Sequence, residues 1–132
     1  MGGNAQFRKS EEEEILQVNK PWNKISKAEK EEIVKAAFRE IYKNKEKGRR
    51  VEATFMSDGT KSWVALTPKR KHSDNYWKNV YMTRKSLYTV NDSWLVDYDT
   101  PDDMFTYGAR NIDDVIKRAN RNYRANQNYK KQ

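Results

Sequence analysis

Apolar positions along this chain follow two periods. Between Val51 and Pro68 the spacing is two: Val51, Ala53 and Phe55 precede an Asp58-Gly59 pair, and Val64 and Leu66 follow it. Alternation around Asp-Gly predicts a β-hairpin. With Asp58 and Gly59 as its turn, Ser57 faces Thr60. The pairing then runs Phe55 with Ser62, Ala53 with Val64 and Val51 with Leu66, all on one mostly apolar face. The other face pairs Glu52 with Ala65, Thr54 with Trp63 and Met56 with Lys61, a mixed surface open to water or thinly covered. A slip of one residue would exchange the faces, so the pattern specifies its own register.

The second period is helical. Ile33, Val34, Ala37, Phe38, Ile41 and Tyr42 form one stripe in the stretch Ser26 to Lys47. Ser26 and Glu29 fit a capping box, and Gly48 is a natural stop. Ile112, Val115, Ile116, Ala119 and Tyr123 form a second stripe, in a helix capped by Asn111. Lys117, Arg121 and Arg124 make a basic row beside it.

Between these elements, Tyr76 to Thr83 is rich in aromatic and β-branched residues and reads as a third strand. Leu87 to Val90 and Ser93 to Tyr98 read as a second hairpin around Asn91-Asp92, with a short helix over 83–90 as the rival. The order is helix, antiparallel sheet of three to five strands built on the central hairpin, helix. That is an α+β fold. Residues 21–124 make one compact domain, 1–20 a flexible or loosely docked arm, and 125–132 a frayed basic tail.

Composition narrows the picture further. Leu, Ile, Val and Phe number only 22 of 132 residues, but four Trp and eight Tyr supply large buried areas for a core. Cysteine is absent, which removes disulfides and thiolate metal sites. No apolar run approaches the roughly 20 residues that span a bilayer. The start lacks the apolar core of a secretory signal, and Gln6 stands where a myristoylation signal needs Ser or Thr. The expectation is a cytoplasmic protein with no membrane partner.

The net charge of +8 is segregated. Residues 49–85 carry nine basic and three acidic side chains, and 110–132 carry seven and two. Residues 86–109 carry five Asp and no Lys or Arg. Basic blocks on either side of an acidic one suggest a surface for a polyanion. Arg49, Arg50, Lys69, Arg70, Lys71, Lys78, Arg84 and Lys85 interleave with Tyr76 and Trp77, the cation-plus-ring mixture that phosphates and bases require. Trp63 is a candidate stacking platform, and Lys117, Arg121 and Arg124 extend the footprint. The leading expectation is a small basic accessory protein that binds DNA or RNA without base specificity.

Other readings compete with it. Trp94, Asp97, Tyr98, Asp99, Asp102 and Asp103 form an acidic-aromatic patch suited to a protein partner with a basic groove. Such a protein would inhibit or modulate a nucleic-acid-handling machine. Small accessory proteins of phages and mobile elements share this size and Cys-free, Lys/Asn-rich character. A ribonuclease would have to combine the lone His72 with Glu52 and Arg84. The acids lack EF-hand spacing, and Walker, dinucleotide and zinc motifs are missing, so no catalytic residues, metal or cofactor are assigned. The helix–strands–helix order superficially resembles a double-stranded-RNA-binding domain. The match ends at Asn111-Ile112-Asp113-Asp114, where that family places a Lys-rich helix start.

Overall fold

A computed structural model describes residues 13–69, 73–95 and 109–131. It contains four strands, β1 (Glu13–Val18), β2 (Val51–Ser57), β3 (Ser62–Pro68) and β4 (Ser86–Asn91). Three helices accompany them: α1 (Lys27–Glu46), α2 (Asp74–Thr83) and α3 (Ala109–Lys131). The strands form one antiparallel sheet in the order β1-β3-β2-β4, with the hairpin at its centre. This is the expected α+β class.

The hairpin pairs two residues away from the expected register. Ser57 faces Ser62, Phe55 faces Val64, Ala53 faces Leu66 and Val51 faces Pro68. A shift of two leaves each side chain on its predicted face. The cause lies at the tip. Asp58 Oδ1 accepts from Thr60 N (2.9 Å), Thr60 Oγ1 (2.7 Å) and Lys61 N (2.9 Å), while Asp58 N donates to Lys61 O (3.2 Å). Asp58 and Lys61 therefore oppose each other, and Gly59 turns the tip at φ +91°.

The apolar face of the hairpin carries α1 and α3. Val34, Ala37, Phe38 and Ile41 from α1 and Val115, Ile116, Ala119 and Tyr123 from α3 share one buried cluster with Ala53, Phe55, Val64, Leu66 and Val90. The Ser26 capping box forms as expected, with Ser26 Oγ accepting from Glu29 N (3.1 Å) and Ser26 N donating to Glu29 Oε1 (3.2 Å). Gly48 adopts φ +77°, the left-handed geometry that ends the helix.

Several local expectations are corrected. Residues 76–83 form α2 rather than a strand. Both β3 and β4 run antiparallel to β2, so the chain must travel back along the sheet between Pro68 and Ser86. Ten helical residues cover about 15 Å of that return. Ser73 caps this helix through Tyr76 N (3.2 Å), and Tyr76, Asn79, Val80 and Thr83 line its inner side. Intrinsic preferences of a few tenths of a kcal/mol per residue yield to that geometry.

Leu87 to Val90 lie in strand β4 as expected, not the rival short helix, but residues 92–95 form a 3-10 turn instead of the start of a hairpin's second strand. At the ends, residues 13–18 of the supposed arm join the sheet edge, and α3 runs to Lys131 through the supposed frayed tail. Buried Asn126 fastens that tail by donating to Arg84 O (2.8 Å). The helix also begins at Ala109, so Asn111 lies inside it rather than at its cap.

Candidate anion-binding site

The second sheet face, read from sequence as open to water or thinly covered, is largely buried, and α2 lies over part of it. Glu52, Thr54, Trp63 and Ala65 are buried there, and a cleft of about 160 Å³ separates α2 from Thr54, Met56, Ala65 and Thr67. Trp63, at 9% exposure and with Lys61 Nζ 5.0 Å from its ring centre, offers no open stacking face. Glu52 pairs with Asn91 at one end of the sheet, whereas Arg84 precedes the Ser86–Met56 pair at the other. Four strand residues, about 13 Å, separate those positions, so the ribonuclease constellation is not assembled.

The basic residues of 49–85 are also dispersed. Arg49, Arg50 and Lys69 stand where β2 begins and β3 ends, while Arg84 and Lys85 stand about 20 Å away beside the hairpin tip, where Lys85 O accepts from Ser57 N (2.9 Å). Lys78 and Trp77, the latter 57% exposed and edge-on to Tyr76, lie on the outer side of α2. The row Lys117, Arg121 and Arg124 is exposed on α3, in the opposite layer of the molecule. One continuous footprint does not form. Arg70, Lys71, His72, Asp97, Tyr98, Asp99, Asp102 and Asp103 lie outside the described residues. Trp94, proposed from sequence as a protein-binding anchor, instead packs between Phe38 (6.1 Å) and Tyr88 (6.5 Å) at the edge of the core.

Three of the expected phosphate ligands, Arg50, Lys69 and Arg84, are already engaged. Asp92 is 5% exposed and accepts from Arg50 Nε (2.6 Å), Arg50 Nη2 (3.0 Å) and Lys69 Nζ (2.9 Å). The Arg50 hydrogen bonds, with help from Lys69, hold its carboxyl down at about 2 despite burial. Arg84 places its guanidinium 4.1 Å from the Tyr129 ring centre. On α3, Arg118 is held by Asp114 (3.1 Å) and by the Tyr88 hydroxyl (2.8 Å).

The arrangement differs where α1, α3 and the 3-10 turn Trp22–Lys24 meet. Ser57 and Ser62 face each other at the mouth of the hairpin. Ser57 Oγ accepts from Trp22 N (3.2 Å), and Ser62 Oγ donates to Lys20 O (2.9 Å). These bonds seat the Trp22 ring against Phe55, 6.3 Å between centres. Trp22 Nε1 then donates to Asn120 Oδ1 (2.6 Å), and Lys30 Nζ donates to the same oxygen (2.9 Å) while lying 4.9 Å from the Trp22 ring centre. Lys30 is 8% exposed, and no carboxylate among the described residues pairs with it. Burial first, then the nearby Arg124 guanidinium, lower its pKa.

Beside this cluster opens a pocket of about 460 Å³ lined by Trp22, Asn23, Lys30, Asn120, Tyr123, Arg124, Gln127 and Asn128. Its α3 members recur at helical spacing, so one side of that helix forms a wall of amides around a cation. Arg124 belongs both to this wall and to the exposed row.

Comparison with protein-family models, with curated proteins and with solved structures finds no match. Among the described residues, no helix is long and apolar enough to cross a membrane. Sequence reading missed Lys30 and Asn120. Lys30 sits at the position three and four residues before Ile33 and Val34, so it extends the apolar stripe of α1. A lysine on a buried stripe was the available signal, hidden among the surrounding glutamates.

Proposed function

We propose that this protein binds nucleic acid through phosphate contacts made by the outer side of α3. The observation that carries this reading is the state of the cations. Lys117, Arg121 and Arg124 are exposed at i, i+4 and i+7 and pair with no carboxylate among the described residues, whereas Arg50, Lys69 and Arg118 are tied to acids. The row spans about 10 Å of helix. Duplex DNA carries a charge about every 3.4 Å along each strand, so three such cations match about three phosphates. Contacts of this kind position a protein on a polyanion and read no bases.

Anisotropy titrations of labelled duplex and single strands at 50 and 200 mM salt test the reading. Binding at low salt should weaken steeply, with a log–log slope near −0.9 for each phosphate neutralised. The triple variant Lys117→Gln, Arg121→Gln, Arg124→Gln should lose most of that affinity and flatten the slope by about two to three. No binding at 50 mM salt, or an unaltered slope in the folded variant, defeats the proposal.

A further inference from the structure

The pocket between Trp22, Lys30 and α3 has a donor pattern that its neighbours fix. A lysine ammonium and an indole N–H are donors only. Both point at Asn120 Oδ1, at 2.9 and 2.6 Å, so that atom must be the amide oxygen. The amide NH₂ group of Asn120 then faces away from them, and neither of its hydrogens has a partner among the described residues. Lys30 spends one hydrogen on Asn120 and keeps two more. Arg124 supplies a guanidinium from the same wall, and Asn23, Gln127 and Asn128 supply further amides. Tyr123, raised in pKa by burial, keeps its phenolic proton. Among the described residues, no Asp or Glu lines the cavity.

From this geometry we infer that the pocket is a binding site for a phosphate monoester. Two cations brought together without a carboxylate repel each other, and an anion placed between them removes that repulsion while receiving directed hydrogen bonds. A doubly charged group balances both; a single carboxylate leaves one excess charge. The volume, about 460 Å³, falls in the range of small-molecule sites and exceeds the needs of a bare phosphate, so an organic remainder is part of the ligand. The site shares Arg124 with the exposed row, whereas Lys30 and Asn120 lie outside that row, so variants at those two positions test the pocket separately from Lys117 and Arg121. Two sources present the same chemistry: a free mononucleotide and the 5′-phosphorylated end of a strand.

The test is a titration of the ¹⁵N-labelled full chain with inorganic phosphate, AMP, and 5′-phosphorylated or 5′-hydroxyl oligonucleotide at constant ionic strength. Saturable shifts are expected at the Trp22 indole N–H and the Asn120 side-chain amide with phosphate, larger with the organic ligands, and absent with matched chloride. AMP binding with no preference for the 5′-phosphate identifies the free nucleotide as source. A tenfold or greater preference for the phosphorylated oligonucleotide identifies the strand end. Lys30→Met should cut phosphate and AMP affinity at least tenfold with a native-like spectrum. Asn120→Asp, which supplies its own carboxylate to Lys30, should abolish binding while raising the melting temperature. No saturable response to phosphate, AMP or the phosphorylated strand overturns the inference, as does undiminished binding in both folded variants.

Discussion

Two places in this protein bring a lysine and an arginine together, and they are resolved in opposite ways. At the Arg50 end of the sheet a buried aspartate lies between the cations and binds both. Near the hairpin tip the cations are Lys30 and Arg124, and the oxygen that Lys30 reaches belongs to a neutral amide. The first place is electrostatically closed and ties the start of β2, the end of β3 and the turn after β4 into one corner. The second keeps an excess of positive charge and a cavity beside it. Charge density along the chain does not separate the two, since Arg50 and Lys69 lie in the most basic block and Lys30 in a nearly balanced one. A cation's availability is set by what stands opposite it.

Breaking the closed corner should have the largest effect. Asp92→Asn removes the charge that Arg50 and Lys69 share while keeping the side-chain volume. Loss of charged hydrogen bonds at a buried acceptor implies about 2–3 kcal/mol of destabilisation, read as a lower denaturant midpoint with unchanged slope. A loss below about 0.5 kcal/mol would mean the corner is not a structural tie.

The acid limb of stability gives a related and slightly smaller signal. Asp92 falls from the ordinary 3.8 to about 2 in the folded state. A depressed carboxyl stabilises above its unfolded pKa, and that stability disappears as pH falls through the folded value. About 2 kcal/mol should therefore be lost between pH 4 and 2. Asp58, also near 2 but at the exposed hairpin tip, contributes to the same limb. Subtracting the Asp92→Asn curve from the parent curve isolates the Asp92 share. Parallel curves would show that its charge is not linked to folding.

The open site should respond least. Lys30→Met replaces a buried, uncompensated cation by an apolar chain of similar length, and Trp22 still satisfies Asn120 Oδ1. Stability should stay within about 1 kcal/mol of the parent or rise. Destabilisation as large as that of Asp92→Asn would erase the contrast between the two places.

The legibility of the fold follows the same division. Sequence periodicity is read through local geometry, so it captured the stripe of α1, the stripe of α3 and both faces of the hairpin, even with the register displaced by two. It failed where topology rather than local preference chose the backbone. Tyr76 to Thr83 has the residues of a strand, but a chain that must return between two strands parallel to each other spans that distance as a helix. The candidate sites were less legible still. Arg50 and Lys69 meet Asp92 across 42 and 23 residues, and Lys30 meets Asn120 across 90.

The amino-acid pattern by itself determined the α+β class, the hairpin at the centre of the sheet and the apolar sides of the two long helices. Burial and hydrogen bonding act on neighbours in sequence, and a period records them. Only the tertiary structure decided that α2 lies over part of the second sheet face, that Asp92 neutralises one pair of cations and that Lys30 and Arg124 face an open pocket. Electrostatic partnership depends on separation in space, and in this molecule that separation is fixed by which strands and helices the core brings together.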